Sequence, residues 1–290
     1  MKPAAFDYSR PDTLADALDV LAQRGSDGKV LAGGQSLLPI LSMRLAAPKY
    51  LIDINRVAGL DGIGVDSAGV RIGALVRHAA LERHRDAMRS QPLLSMALRF
   101  VAHPTIRNRG TSLGSIVHAD PAGELPAVLA VLSGTVTLMS SRGRRTVAAS
   151  DFFAGPLEST IEPGELAVEA FFPGLAAGSG VAFAEVSRRH GDYAMCGVAA
   201  RVSLDDDRRV AEARVAYLSM AGTPLVLDLS PALAGRGYDS DLPDLEEAVD
   251  AGVDPEADIH ASAAYRRQLA RVLTRRTVAE AARHAAGVGA

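Results

Sequence analysis

The stretch Lys29-Val30-Leu31-Ala32-Gly33-Gly34-Gln35-Ser36-Leu37 decides how the fold of this chain is interpreted. Its first four residues indicate a short strand, and two consecutive glycines follow where that strand ends. An apolar segment at 37–45 indicates a short helix, and Tyr50-Leu51-Ile52-Asp53-Ile54 indicates the next strand. The pattern predicts a β–α–β unit with a glycine turn at the carboxyl end of a strand, where open α/β sheets bind their ligands.

The glycine turn has the chemistry of an anion-binding loop. Because Gly33 and Gly34 lack side chains, their backbone can approach a ligand closely and point consecutive N–H groups at it. Ser36 adds a hydroxyl group, and the start of the following helix adds a partial positive charge. A diphosphate needs such a cradle. The alternative, a tight strand-to-helix turn without a ligand, stays open when this loop is considered alone.

A second loop favours the ligand-binding alternative. Arg109-Gly110-Thr111-Ser112-Leu113-Gly114-Ser115 carries small hydroxyl residues between glycines, inside a segment that we expect to be a long polar loop at 103–120. A polar surface loop is the alternative, but a dinucleotide with two phosphates needs several anchoring segments. Residues 110–114 also match the nucleophile elbow of hydrolases, which needs a buried strand before the serine. Arg107-Asn108-Arg109 is wrong for such a strand, which argues against a hydrolase.

The other elements predict an α+β protein in two domains. The first helix begins after Asp12 or Thr13 and ends at Gly25, a residue type that commonly follows a helix. Later strands are predicted at 70–75, 136–138, 166–172, 181–188, 195–204 and 210–220. Later helices are predicted at 92–101, 242–251 and 260–285, with a helical or mixed segment at 121–132. The last three strands are expected to be antiparallel, with a hairpin turn at 205–209. A glycine- and alanine-rich linker at 173–180 places the domain boundary between 1–176 and 177–290, and the first domain divides into subdomains at about 1–57 and 58–176.

Composition narrows the class of protein. With 290 residues and a formal net charge of −3, the chain has no basic field that would attract nucleic acid or an anionic membrane. Its single cysteine, Cys196, rules out an iron–sulfur cluster held by this chain alone and fits a reducing cytoplasm. The N-terminus lacks the apolar core of a signal peptide, and the longest apolar stretch, 125–139, is shorter than the roughly 20 residues that span a bilayer. We therefore expect a soluble cytoplasmic protein without a membrane span.

No residue pattern predicts a metal site or a catalytic group on this chain. His118 and Asp120 are two positions apart and could share a metal, but a third ligand is not evident. No acid–base pair and no activated nucleophile stands out. Five arginines of the last predicted helix, at positions 266, 267, 271, 275 and 276, are expected to form a solvated face, with a docking face for another subunit as the alternative.

Four motifs together carry a resemblance to a known family. They are Ala32-Gly33-Gly34-Gln35-Ser36-Leu37, Asp53-Ile54-Asn55, His103-Pro104-x-Ile106-Arg107-Asn108-Arg109-Gly110-Thr111 and His118-Ala119-Asp120-Pro121-x-x-Glu124-Leu125-Pro126. In these motifs the chain resembles the medium, FAD-binding subunit of aerobic carbon monoxide dehydrogenase and its relatives in the xanthine dehydrogenase family, the molybdenum hydroxylases. The resemblance runs essentially end to end, and it includes residues 188–193 and 265–273.

The resemblance implies a fold and a set of cofactor contacts. The fold is an FAD-binding domain of the vanillyl-alcohol oxidase-like type, whose two subdomains clamp an extended FAD, followed by a C-terminal antiparallel sheet with helices. Residues 32–36 would hold the FAD diphosphate, and residues 111–115 would form the second clamp. The matching positions are Ala32, Gly33, Gly34, Gln35, Ser36, Thr111, Gly114, Ser115, Glu124, Leu166 and Tyr193.

One position departs from the family pattern. Leu113 stands where the family usually has a glycine, and a leucine cannot adopt glycine-only backbone angles cheaply. Either position 113 has ordinary backbone angles in this chain, or the second clamp is altered. The contacts of residues 112 and 113 are therefore left out of the predicted site.

The resemblance also implies partners and a function. A large molybdopterin-binding subunit would oxidise the substrate, and a small subunit with 2Fe-2S clusters would pass the electrons to the FAD on this chain and on to an external acceptor. The assembly would be a dimer of heterotrimers, and this chain would be an oxidoreductase subunit. Two alternatives are a flavin-free scaffold, favoured if Leu113 destroys the clamp, and a self-sufficient flavin oxidase.

Overall fold

The computed structural model describes residues 2–240, 242 and 244–288 of the chain. Its strands are β1 (Asp7–Ser9), β2 (Gly28–Leu31), β3 (Tyr50–Asp53), β4 (Ile63–Asp66), β5 (Gly69–Gly73), β6 (Thr135–Ser140), β7 (Gly143–Ala148), β8 (Phe153–Gly155), β9 (Glu158–Ser159), β10 (Leu166–Pro173), β11 (Ser179–Ser187), β12 (Ala194–Leu204), β13 (Val210–Leu218) and β14 (Leu225–Asp228). Its helices are α1 (Leu14–Arg24), α2 (Leu37–Ser42), α3 (His78–Glu82), α4 (Arg85–Ser90), α5 (Pro92–Leu98), α6 (Pro104–Arg107), α7 (Ser112–His118), α8 (Glu124–Val131), α9 (Ala149–Phe152), α10 (Ser230–Leu233), α11 (Leu245–Gly252) and α12 (Ala263–Ala285).

The N-terminal unit is a three-stranded parallel sheet in the order β1-β3-β2. Helix α1 packs on it with Ala17, Leu18 and Leu21, which are buried and spaced for one helical face. The Thr13 hydroxyl caps this helix by accepting a hydrogen bond from the Asp16 amide at 3.1 Å. The predicted β–α–β unit is confirmed. Strand β1 was missed because three mostly exposed residues carry little periodic signal.

The second unit is a five-stranded antiparallel sheet in the order β4-β5-β10-β6-β7. Helices α3 to α8 lie between strands β5 and β6 in the sequence. Helix α8 contributes more residues to the core around this sheet than any other helix. Residues 125–131 of α8 are all buried, because the helix is apolar around its whole circumference. It contacts the second unit on one side and the C-terminal sheet on the other, which explains that composition.

The expectation of a polar loop at 103–120 is wrong. The segment contains two helices, α6 and α7. Helix α7 is capped by Thr111, whose hydroxyl oxygen accepts a hydrogen bond from the Gly114 amide at 3.2 Å. Leu113 and Ile116, three positions apart, are both buried and anchor the helix in the core. Small polar residues between them obscured this short apolar face.

The C-terminal unit is a four-stranded antiparallel sheet in the order β11-β12-β13-β14. Helix α12 covers one face of this sheet, and α8 packs against the other. The three predicted strands and the hairpin turn at 205–209 are confirmed. The predicted helix at 242–251 corresponds to α11, although residue 243 lies outside the described residues. The domain boundary after residue 176 stays a prediction, and it falls between β10 and β11.

The five arginines expected on a solvated face of α12 divide: Arg275 and Arg276 are exposed, Arg267 and Arg271 are partly exposed, and Arg266 is buried. Arg266 is 5% exposed, and its guanidinium donates to the Met195 and Ser219 carbonyls at 2.7 and 2.6 Å and to Asp258 at 2.5 Å. The next three arginines along the helix pair with acidic residues at or near α11. These pairs are Arg267–Asp254, Arg271–Asp250 and Arg275–Glu246. This part of the helix therefore holds α11 and its following loop in place.

A buried hydrogen bond between the sheet and α12 gives a stability prediction. The Tyr217 and Thr274 hydroxyls are both 0% exposed and lie 2.6 Å apart. Tyr217→Phe leaves the threonine hydroxyl without its partner, so we expect a loss of about 1–3 kcal/mol in the free energy of unfolding by urea. The double variant Tyr217→Phe/Thr274→Val should recover part of this loss, and Tyr265→Phe at the exposed start of α12 should change nothing. Equal losses for both tyrosine variants would contradict the assignment.

Candidate functional site

A large cleft lies where the two N-terminal units and the C-terminal sheet meet. Its volume is about 1890 Å³, well above the roughly 300–1,000 Å³ of pockets for small ligands. All eleven predicted site residues line this cleft, although they come from five separate parts of the chain. They are Ala32, Gly33, Gly34, Gln35, Ser36, Thr111, Gly114, Ser115, Glu124, Leu166 and Tyr193.

The first loop presents unpaired backbone amides to this cleft. The N–H groups of residues 33, 34, 35 and 36 have no hydrogen-bond partner among the described residues. The loop is instead held by its carbonyls: the Gly34 carbonyl accepts from the Leu38 amide at 3.0 Å, and the Gly33 carbonyl accepts from Gln35 Nε2 at 3.0 Å. Gly34 has φ +73°, which favours glycine. Four consecutive free donors at a cleft wall form a site for an anion.

The two glycine loops touch each other through their backbones. A Cβ atom on Gly33 would lie 2.7 Å from Gly110 Cα, 2.8 Å from the Arg109 carbonyl oxygen and 2.8 Å from the Thr111 amide nitrogen. These neighbours are backbone atoms that cannot rotate away, so any side chain at position 33 would push the loops apart. Gly33 is therefore needed for loop-to-loop contact as well as for access to a ligand.

A hydrogen-bonded clasp fixes the spacing of the loops. Asn55 Nδ2 donates to the Ala32 carbonyl at 2.8 Å, and the Asn55 side-chain Oδ1 accepts from Arg77 at 2.6 Å. The other terminal nitrogen of Arg77 donates to the Arg109 carbonyl. Asp53 holds Asn55 in turn, accepting from its side-chain amide at 2.6 Å. Sequence reasoning missed Arg77, whereas the Asp53-Ile54-Asn55 motif was a usable signal for the rest of the clasp.

The second loop offers fewer free amides than the first. The Ser112 amide donates to the Val76 carbonyl at 2.9 Å, and the Ser115 amide donates to the Thr111 carbonyl at 3.0 Å. With the Gly114 amide bonded to the Thr111 hydroxyl, two amides of this segment are bonded within it and a third is bonded to Val76. Leu113 belongs to α7, and it is 1% exposed, so it has ordinary helical backbone angles and faces the core. The departure at position 113 leaves the loop intact.

Ser112 forms a buried pair with His78. The Ser112 hydroxyl lies 3.2 Å from His78 Nδ1, and the two side chains are 0% and 4% exposed. Burial, with help from the positive charge of Arg107, lowers the pKa of His78 to about 4, so the ring is neutral at neutral pH. A nucleophile needs access to its substrate, and Ser112 has none. The pair fixes the start of α7, in agreement with the sequence argument against a hydrolase.

The part of the cleft at the start of α8 is acidic. Glu124, at the first turn of α8, is half-buried, and burial together with the nearby Asp120 carboxylate raises its pKa to about 7. The ring of Tyr193 is 71% exposed at the end of the turn before β12. Leu166, by contrast, is 3% exposed at the start of β10 and contributes an apolar surface.

One lysine and one histidine complete the lining near the first loop. Lys29, on β2, and His118, at the end of α7, both line the cleft. Burial lowers the pKa of His118, Asp120 opposes this shift, and the positive charge of Lys29 adds to it. Lys29 was missed by sequence reasoning because a single exposed lysine in a strand carries no signal of its own. Its charge suits an anionic ligand held by the first loop.

Two features are absent from the described part of the chain. No group of three or more His, Cys, Asp or Glu side chains there is arranged to hold a metal ion. None of the helices there combines the length and apolar character that a bilayer crossing requires.

This arrangement defines a class: two α/β units and a glycine-loop cleft are the hallmarks of two-subdomain FAD-binding proteins. Residues 4–175 match the family described as the FAD binding domain in molybdopterin dehydrogenase. Residues 181–281 match the CO dehydrogenase flavoprotein C-terminal domain. The chain belongs to the family of FAD-binding medium subunits of molybdenum hydroxylases, which are oxidoreductases.

Individual relatives match almost the whole chain. Subunit alpha of the 6-hydroxypseudooxynicotine dehydrogenase complex of Paenarthrobacter nicotinovorans is 43% identical over 283 residues, covering 97% of this chain and 96% of the relative. Quinoline 2-oxidoreductase from Pseudomonas putida 86 has a chain of 35% identity with a TM-score of 0.92, covering 98% of this chain and 99% of that one. A chain of carbon monoxide dehydrogenase from Hydrogenophaga pseudoflava, also 35% identical, has a TM-score of 0.90 with the same coverage.

The clasp gives a prediction about cofactor affinity. Arg77→Met removes two hydrogen bonds from a cation that join the loops, each worth about 1.5–3 kcal/mol where it is well formed. We expect FAD to bind roughly ten- to a hundredfold more weakly to this variant in a fluorescence titration of the FAD-free chain. Arg89→Met, on the exposed surface of α4, is the matched control and should bind like the wild type. Unchanged affinity in Arg77→Met would show that the clasp does not matter.

Proposed function

We propose that the first glycine loop of this chain holds the diphosphate of FAD, with the amides of residues 33–36 as donors. The observation that carries this proposal is the row of four unpaired amides in a loop whose glycine backbone is packed against a second loop. Amide donors that are already oriented bind phosphate oxygens without a large ordering cost. Lys29 contributes a positive charge beside them.

The other cleft residues fit the rest of an extended dinucleotide. Thr111, Gly114 and Ser115 would form the second clamp, chiefly through the Ser115 hydroxyl, since the Thr111 hydroxyl and two of their amides are bonded within the segment. Glu124 would accept hydrogen bonds from cofactor hydroxyls or N–H groups, and Leu166 would supply an apolar contact. The exposed ring of Tyr193 would pack near the flavin, because an aromatic face matches a flat ring system.

In this proposal the chain is the electron-transfer subunit of a heteromeric molybdenum hydroxylase. The FAD, when bound, supplies the redox chemistry, exchanging single electrons with 2Fe-2S clusters of a small partner subunit and pairs of electrons with an external acceptor. The chain's own residues bind and orient it. A large molybdopterin-binding subunit would complete the heterotrimer, and two heterotrimers would form the assembly.

The relatives support a substrate site on another chain. Proteins of closely similar sequence or structure belong to enzymes named for 6-hydroxypseudooxynicotine, quinoline and carbon monoxide. One fold that serves such different compounds fits a subunit that handles electrons rather than substrate. We further propose that the protein works in the cytoplasm, as the single buried Cys196 suits a reducing compartment.

The position of Leu113 removes the reason for one alternative, and the other alternative can be tested directly by turnover. A flavin-free scaffold was favoured if Leu113 destroyed the second clamp, but Leu113 is a core residue of an ordinary helix. For a self-sufficient flavin oxidase, the test is turnover of candidate purines, N-heterocycles and aldehydes by the isolated FAD-loaded chain. We expect no turnover by the isolated chain and full turnover after reconstitution with the two partner subunits. Turnover by the isolated chain at the rate of the complex would contradict the proposal.

A single added methyl group tests the cofactor site. Gly33→Ala places a Cβ atom 2.7–2.8 Å from three backbone atoms of the second loop, so the loops must separate. We expect FAD affinity to fall by at least about tenfold, because separated loops no longer direct their donors at one ligand. The readout is the FAD dissociation constant, with circular dichroism to confirm that the fold is kept.

Gly62→Ala is the matched control for this experiment. A Cβ atom on Gly62 has no neighbour within 4 Å, and the residue is exposed in a turn before β4. The control should bind FAD with wild-type affinity. Retention of wild-type affinity by Gly33→Ala as well would overturn the assignment of the first loop.

A further inference from the structure

Two segments of the family resemblance that are distant in sequence meet at the edge of the cleft. One is the turn at 101–103, directly before α6, which contains the histidine of His103-Pro104. The other is the segment 188–193, which joins β11 to β12 and ends at Tyr193. Both border the cofactor cleft: residues 101 and 102 line it from the second unit, and residues 188 and 191–193 line it from the C-terminal sheet.

Gly191 packs directly on the ring of His103. A Cβ atom on Gly191 would lie 2.6 Å from His103 Cε1, 2.8 Å from His103 Nδ1 and 3.1 Å from the Ala102 carbonyl oxygen. Such distances leave no room for a side chain at position 191. Gly191 also has φ +85°, a backbone angle that favours glycine. The segment can therefore follow this path only with a glycine where it crosses the ring.

Hydrogen bonds fix the turn on which Gly191 rests. Arg107, whose side chain is 12% exposed, donates from Nη1 to the carbonyls of residues 101 and 102 at 3.1 and 3.2 Å. Its Nε donates to the Glu82 carboxylate at 3.2 Å. The His103 carbonyl accepts from the Arg107 amide at 3.0 Å at the start of α6. The backbone of His103 is therefore held before and after the residue, and its ring is presented in a set place.

The segment 188–193 is held on both sides of Tyr193. After this residue, the Ala194 carbonyl accepts from the Ser219 hydroxyl at 2.6 Å. Before it, the Asp192 amide donates to the Arg189 carbonyl at 3.0 Å, which closes a tight turn. The ring of Tyr193 is 71% exposed. Because the ring itself is so little packed, its place at the cleft depends on where the backbone of the segment rests.

We propose that His103 is a positioning residue for the cofactor: its ring seats Gly191, and this contact places Tyr193 against the flavin. His103 does not itself line the cleft, so it acts through the segment 188–193 rather than by touching FAD. This inference rests on the proposed function, in which Tyr193 packs near the flavin. Without the ring, the segment loses its support from the second unit, and Tyr193 is free to swing away from the cleft.

The first experiment measures the mobility of segment 188–193 in the FAD-free full-length chain by amide hydrogen exchange. His103→Ala removes the ring, and we expect the amides of this segment to exchange several-fold faster than in the wild type. His190→Ala is the matched control, because His190 is an exposed histidine of the same segment. Its protection factors, which allow for the changed sequence, should equal those of the wild type.

Gly191→Ala tests the same contact from the other side. It places a Cβ atom against the ring and the Ala102 carbonyl, so the segment must lift and exchange should again rise. Gly235→Ala is its control: Gly235 has φ +79°, close to the +85° of Gly191, but a Cβ atom there has no neighbour within 4 Å. The control carries similar backbone strain without the clash and should leave segment 188–193 unchanged. Wild-type exchange in both His103→Ala and Gly191→Ala, or an equal increase in Gly235→Ala, would show that the ring does not seat the segment.

The second experiment adds FAD and reads the position of Tyr193 from the emission of the bound flavin. A phenol ring in contact with a flavin quenches its emission by electron transfer, so FAD bound to the wild type should be dim. We expect FAD bound to His103→Ala to be several-fold brighter, and as bright as FAD bound to Tyr193→Ala. The double variant His103→Ala/Tyr193→Ala should add no further increase, because both changes remove the same contact. FAD bound to His190→Ala should be as dim as in the wild type.

The two readouts separate this proposal from the proposed function. Bound FAD that stays as dim in His103→Ala as in the wild type would overturn the role of His103, even where hydrogen exchange is faster. If neither the wild type nor any variant binds FAD, the proposed function fails, while the exchange rates still decide whether His103 seats the segment.

Discussion

The backbone-to-backbone contact between Gly33 and residues 109–111 is the constraint on which the site depends. Atoms that a Cβ would approach within 2.8 Å leave no space for any side chain, so this contact sets the distance between the N-terminal unit and the second unit. The clasp of Asn55 and Arg77 holds the same distance by hydrogen bonds to the carbonyls of Ala32 and Arg109. Because the contact is made by backbone, it fixes the position of the first loop, whose residues line the cleft and whose four amides have no partner among the described residues.

The two glycine loops have different tasks, although their sequences look alike. The first keeps four amides unpaired, whereas the second uses its donors to begin and cap α7. The second loop therefore serves mainly as a rigid support, fixed in the core by Leu113 and by the neutral His78 behind it. Carboxyl groups reach the site from the start of α8 and the turn before it, where Asp120 and Glu124 line the cleft. This division explains why the chain needs no acid–base dyad of its own for an electron-transfer role.

Much of the fold and of the candidate site could be predicted from the sequence, for reasons that differ between elements. The β–α–β unit and the three long C-terminal strands carry regular periodicity. The family motifs identified eleven site positions, and all of them line one cleft. Helix α7 was missed because its apolar face is only Leu113 and Ile116. Arg77 was missed for another reason: its role depends on Arg109, a partner 32 positions away that only the folded chain brings near. Long-range pairs of this kind leave no local pattern.

The structure of the FAD complex at high resolution tests the central claim most directly. The account predicts that oxygen atoms of the diphosphate lie within about 2.7–3.2 Å of at least two of the amide nitrogens at positions 33–36, with the two loops unmoved. A complex in which those amides face water or side chains while the diphosphate is bound elsewhere in the cleft would contradict it.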